Sequence, residues 1–200
     1  MTTAVIQLPT APAFITGEPS LKSFGADLTS SLGGPTQRLL RLGSRFSIDV
    51  AYPPMAYSDA QTFLTALIQS EAAALAVPFP QRGLTIGAPG SPVISGGGQA
   101  GLFLAIRGAA ANYTVQAGQF FSVITGGRRS LYQCQTATVL NASGVGTLPI
   151  RPMLRTTPND GDTVEMLQPY LEGFAPLGAA KWSIEMLVRV GIKFTVTEDR

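Results

Sequence analysis

The stretch GQFFSVITGGRRSLYQCQT, Gly118 to Thr136, has the pattern of two β-strands folded back on one another. Apolar and polar residues alternate on both sides of Gly126-Gly127, the period of a strand with one buried face. Two glycines can take the positive φ that a tight hairpin turn requires, so Arg128 and Arg129 lead the return strand. Cys134 falls within that strand, where a small buried hydrophobe is the stronger reading than a nucleophile. The arginine pair reads first as a solvated hairpin end. Its functional alternative is a contact to an anion, either a phosphate or a carboxylate of a neighbouring subunit.

The neighbouring sequence has the same texture. Short β runs cover Leu102 to Arg107, Tyr113 to Val115, Phe120 to Thr125 and Leu131 to Leu140, with turn signals at RGAAAN, GG and NASG. That spacing is the rhythm of a small barrel or sandwich. GGGQAG (Gly96 to Gly101) has no Lys-Ser/Thr after it and no helix opening on it, so it reads as a packed turn rather than a phosphate loop. The acids of PNDGDTVE fail the EF-hand spacing and read as turn geometry, not a calcium site. Residues 84–164 are therefore expected to form one inserted β-rich module.

On either side the pattern changes. RLLRLGSRFSIDVAYPPM places Phe46, Ile48 and Val50 on one face of a strand and Arg45, Ser47 and Asp49 on the other, ending at Pro53-Pro54. SDAQTFLTALIQSEAAALAV then predicts a helix over 58–76. Its capping box is Ser58 with Gln61, its apolar stripe is Phe63, Leu64, Leu67, Ile68 and Leu75, and Pro78 stops it. WSIEMLVRV and IKFTVTE read as two closing strands joined at Gly191. Residues 37–83 and 165–200 are expected to form one β domain with the helix packed on it, and residues 1–36 an extended arm outside the core.

Composition narrows the function. Of 200 residues only 13% are charged, about half the usual fraction, while 45% are hydrophobic. A surface this poor in charge favours association. There is no histidine, so no Ser-His-Asp or Cys-His pair can be built within one chain, and the paired acids needed for general acid/base work are scattered. No enzyme, cofactor or metal is expected. The single cysteine fits a reducing cytosol, the first residues lack a signal-peptide pattern, and no apolar run reaches the about 20 residues of a membrane span. From Ala72 to Asn159 there is no Asp or Glu but six arginines, among them Arg128, Arg129 and Arg155.

Two segments resemble a known family. VAYPPMAYSDAQTFLTAL…VPFPQ is similar to the N-terminal part of tailed-bacteriophage distal tail proteins. VQAGQFFSVITGGRRSLYQCQTATVLNASGVGTLPIRPMLRTTPNDGDTVE resembles a segment recurrent in phage tail proteins, with Pro152-Met153-Leu154-Arg155 and Asp160-Gly161 at its Pro-x-Leu-Arg and Asp-Gly elements. Gln119 stands where that pattern has an acidic or polar residue, and GIKFTVTEDR is similar to the last strand of such ring-forming domains. The likeness spans roughly 38–200; the first 36 residues have no counterpart.

The resemblance implies a mainly β protein: a split-barrel or sandwich ring domain with one packed helix and an inserted, OB-like barrel. It implies a structural virion protein at the tail tip, assembled in the host cytoplasm. Such a protein forms a ring, usually a hexamer, joining the tail tube protein to the hub or other baseplate proteins, away from any membrane. DNA would pass through its channel without specific binding. Edge strands at Phe46 to Val50 and Lys193 to Val196 are then expected to meet across subunits, with Arg45, Phe46, Ile48, Asp49, Glu185, Arg189, Lys193 and Phe194 as candidate interface residues. The rival reading is a carbohydrate- or nucleic-acid-binding module. It would use Arg128, Arg129 and Tyr132, with Tyr113, Phe120 and Phe121 as stacking faces.

Overall fold

A computed structural model describes residues 4–39, 41–176, 178, 181–184 and 189–199. The chain opens with β1 (Val5–Gln7), β2 (Thr16–Lys22) and a separate hairpin of β3 (Ala26–Leu28) and β4 (Gln37–Leu39). Next come β5 (Arg45–Ala51), β6 (Met55–Ala56), the helix α1 (Tyr57–Gln69) and β7 (Ala74–Pro78). Six strands then close a barrel: β8 (Gly90–Ile94), β9 (Phe103–Ala109), β11 (Phe120–Thr125), β12 (Arg128–Cys134), β14 (Gly146–Arg151) and β15 (Thr163–Glu165). Between them β10 (Thr114–Val115) pairs with β13 (Thr138–Val139). The chain returns through β16 (Tyr170–Phe174), β17 (Lys181–Ile184) and β18 (Arg189–Glu198).

The first and last parts of the sequence share one sheet of eight strands, in the order β1-β7-β16-β18-β5-β2, with β17 and β6 also on β18. Ten-residue β18 is its axis. On one side it takes β17 and then β16; on the other it takes β6 and then β5. The register Phe194↔Val50 and Val196↔Ile48 puts the apolar residues of both strands on one face, against α1. Ala60, Phe63, Leu64, Ala66 and Leu67 of the helix join Ile48, Val50, Tyr52, Leu75, Val77, Phe194 and Val196 in a single core. The barrel holds a second core, in which Leu104, Ile106, Phe121, Tyr132, Cys134, Leu148 and Ile150 point inward. Among the described residues the protein is thus mainly β, with one helix and one closed six-stranded barrel.

The hairpin at Gly118 to Thr136 is present: β11 and β12 pair from Phe120↔Gln133 to Thr125↔Arg128, and Gly126 and Gly127 turn at φ 59° and 77°. Cys134 is fully buried. The expected run from Leu131 to Leu140 is broken, because Gln135 to Ala137 leave the ladder before β13.

Three expectations are corrected. First, the helix stops at Gln69 rather than continuing to Ala76. Ala74 to Val77 form β7 instead, buried between β1 and β16, so tertiary pairing overrides the helical propensity of alanine. The capping box is also absent: Ala56 sits at the N-cap without a side-chain bond, since β6 feeds straight into the helix. Second, the expected arm of residues 1–36 is not wholly outside the core: its residues 5–7 and 16–22 join the sheet. β1 lies parallel to β7, β2 pairs with the whole of β5, and Leu8 and Phe14 are buried. Third, Gly191 is no turn. It lies within β18 opposite Ser183. The residue that closeness does require is Gly173, where a Cβ would lie 2.0 Å from the Thr197 carbonyl oxygen across the β16/β18 pair.

Candidate functional site: the ionic seam and the open sheet edge

The barrel sits against the sheet along a seam of arginines and carboxylates. β12 begins at Arg128, just past the tight turn, so Arg128 reaches β16 and Arg129 both β15 and β16. The Arg128 guanidinium donates to Glu172 and, at 3.3 Å, to Asp199. The Arg129 fork binds Glu165 through Nε and Nη2 at 2.8 and 3.1 Å, while its backbone N–H donates to Glu172 Oε2 at 3.1 Å. The hydrogen bonds that it donates to Glu165 lead the causes that hold the Arg129 guanidinium above its ordinary range. Ser122 Oγ donates to the same carboxylate at 2.8 Å and accepts from the Tyr170 N–H at 3.2 Å, tying β11 to β16.

Deeper in the seam lies one fully satisfied carboxylate. Glu198 Oε1 accepts from the Leu131 N–H and Arg155 Nη2, both at 2.7 Å. Its Oε2 accepts from the Phe46 N–H at 2.7 Å and Arg155 Nη1 at 2.9 Å. Four bonds fill the capacity of a carboxylate. The two side chains are 3% and 1% exposed, and Arg155 also lies over the Tyr132 ring at 5.7 Å. Burial works against the Arg155 charge, but Glu198 outweighs it and holds the guanidinium raised. Leu131, meanwhile, leaves the barrel core for the sheet core, and Phe120 packs on Phe79 and Phe46 with ring centroids at 4.5 and 5.5 Å. A buried pair like this, its carboxylate bonded four times and only the Arg155 Nε left without a partner among the described residues, fixes two layers to one another.

This placement corrects the ligand-contact expectation. Arg128 and Arg129 face carboxylates of their own chain. Tyr132 and Phe121 are inside the barrel, Phe120 packs between barrel and sheet, and the Tyr113 hydroxyl donates to the Ile86 carbonyl. None offers a free stacking face. The glycine loop is a packed turn: the Gln99 amide donates to the Ser95, Gly96 and Ala105 carbonyls and accepts from the Ala105 N–H. Asp160 bonds Arg107 and the Gly96 N–H, which together hold its carboxyl below the ordinary range.

The candidate interface residues divide. Phe46, Ile48 and Phe194 are buried inside one chain, and β5 and β18 pair with each other in the sheet interior, so neither is the edge expected to meet a neighbour. Asp49 is exposed and accepts from the Thr195 hydroxyl; Arg45 is half-buried over the Phe24 ring, with Nη1 bonded to the Glu198 carbonyl. Arg189 and Lys193 face solvent, and Glu185 lies outside the described residues. The true edge on this side is β2, in which six of seven residues are exposed. The sequence reading missed Glu165, Glu172 and Glu198 as partners of the arginines. The signal was there: a stretch of 88 residues without an acid must neutralise its buried arginines from the segments flanking it.

No protein-family model matches this chain, and no curated protein matches it. Among the described residues no helix is long and apolar enough to cross a membrane, and no group of three or more His, Cys, Asp or Glu could hold a metal ion.

Proposed function

We propose that this chain is a non-catalytic structural protein of a phage tail, whose copies form a closed ring between the tail tube and the hub. The observation that carries this reading is β2. Alternate backbone groups of this strand, interrupted at Pro19, which has no N–H, stand open at the margin of an eight-stranded sheet, in a chain with few charges to keep copies apart. An open, long edge is a liability in a monomer and a joint in an assembly. Heterologous contacts of this kind close into rings when their rotation permits.

The order strand, proline break, helix, strand, seen as β5, Pro53-Pro54, α1 and β7, is consistent with the distal tail proteins that the sequence resembles. The inserted barrel, with an OB-like shape, would face outward, held in fixed orientation by the Glu198 and Glu172 seam. DNA would pass the ring without sequence-specific contacts. Imaging the purified chain and the particles that contain it tests the reading. Closed rings at the tail tip are the expected result; a chain absent from particles, or present only as scattered single molecules, overturns it.

A further inference from the structure

Among the described residues the hairpin β3–β4 has no strand partner outside itself, and a two-stranded ribbon alone is marginal in water. Yet its surroundings are apolar. Leu21, Phe24, Leu28, Leu32 and Leu42 are 49%, 46%, 51%, 95% and 64% exposed, a concentration found nowhere else among the described residues. Scattered exposed apolar residues are unremarkable, but five within 22 residues, at the end of β2 and around the hairpin, mark a contact surface. Charge follows the same division. Residues 19–45 hold four cations (Lys22, Arg38, Arg41, Arg45) against one acid, Asp27; residues 46–81 hold three acids (Asp49, Asp59, Glu71) and no cation.

Part of the acidic segment lines a groove. It runs between Pro9, Pro12, Pro53, Pro54, Met55 and Phe63, with Asp59 as its one carboxylate. The hairpin joins β5 at Arg45, whereas the groove begins beyond Ala51. Seven residues of strand separate these ends by about 20 Å. Within one chain no residue of the hairpin lines this groove.

We infer that the β3–β4 hairpin of one copy docks, head to tail, in the acidic proline groove beside α1 of the next copy. Apolar surface meets apolar surface, and a basic segment meets an acidic one, so the charges steer the encounter and fix its sense. This deepens the ring reading and rests on it for closure, since each copy has one donor end and one acceptor end.

The test uses the full chain and sedimentation velocity across a concentration series. The wild type should assemble. Leu28→Ser with Leu32→Ser should weaken association at least tenfold, and so should Asp59→Arg, both without a change in urea midpoint because these side chains are exposed. Mixing the two variants should restore one contact only, giving a one-to-one dimer and nothing larger. If either variant assembles as the wild type does, the docking inference fails while the ring reading stands. If the wild type is monomeric at every concentration, both fail.

Discussion

The two arginine-bearing regions of this molecule treat charge in opposite ways. In the barrel seam Arg128, Arg129 and Arg155 meet Glu172, Glu165 and Glu198 inside the chain. In the hairpin region Arg38 pairs only with Asp27, in the open, and Arg41 faces solvent. Buried pairs whose carboxylates are bonded at both oxygens set one arrangement of barrel on sheet, because any other leaves a buried charge unpartnered. Exposed charges contribute little to folding and remain free to select a partner. The same residue type thus locks one region and leaves the other open to association.

The largest expected effect comes from breaking the lock. Glu198→Leu strands the Arg155 guanidinium and two backbone N–H groups, so unfolding should be easier by about 3–5 kcal/mol in urea titration. A loss below about 1 kcal/mol would mean that the seam is wet and the contrast between the regions is false.

A middle effect sharpens the boundary of the sheet core. Burial pushes the Tyr52 phenol up to about 12 from 10.0. Its stabilising contribution is complete below pH 10 and is lost as pH rises toward 12, by about 2–3 kcal/mol at the limit. Phenolate absorbance should show a late-titrating component that is lost in Tyr52→Phe.

The smallest effect belongs to exposed pairs. Asp160 is held low by Arg107 and Gly96, so its contribution is present above the ordinary carboxylate pKa and fades as pH falls through its lowered value. Asp160→Asn should change stability only slightly, and less still at high salt. A loss as large as that of Glu198→Leu would erase the distinction between buried and open charge.

Local pattern made the barrel hairpin legible: Gly126-Gly127 and the alternation of Phe120 to Cys134 carry their own geometry. The face of β5 was equally plain, since Phe46, Ile48 and Val50 recur at period two. What stayed hidden depended on partners distant in sequence. Ala74 to Val77 resemble a helix until β1 and β16 enclose them, and Gly191 resembles a turn until it is set opposite Ser183. The polar β2 gives no core signal because only its backbone, not its side chains, joins the sheet. The seam was half legible. The missing acids of residues 72–159 implied outside partners, but not which of the later carboxylates would fold onto which arginine.

The most direct test of the account is the particle that the purified chain forms, imaged singly over a range of concentrations. Closed rings of one size, each subunit with its barrel fixed on its sheet and its hairpin against the next subunit, are the predicted result. Isolated compact monomers at every concentration, with the hairpin in solvent, would contradict it.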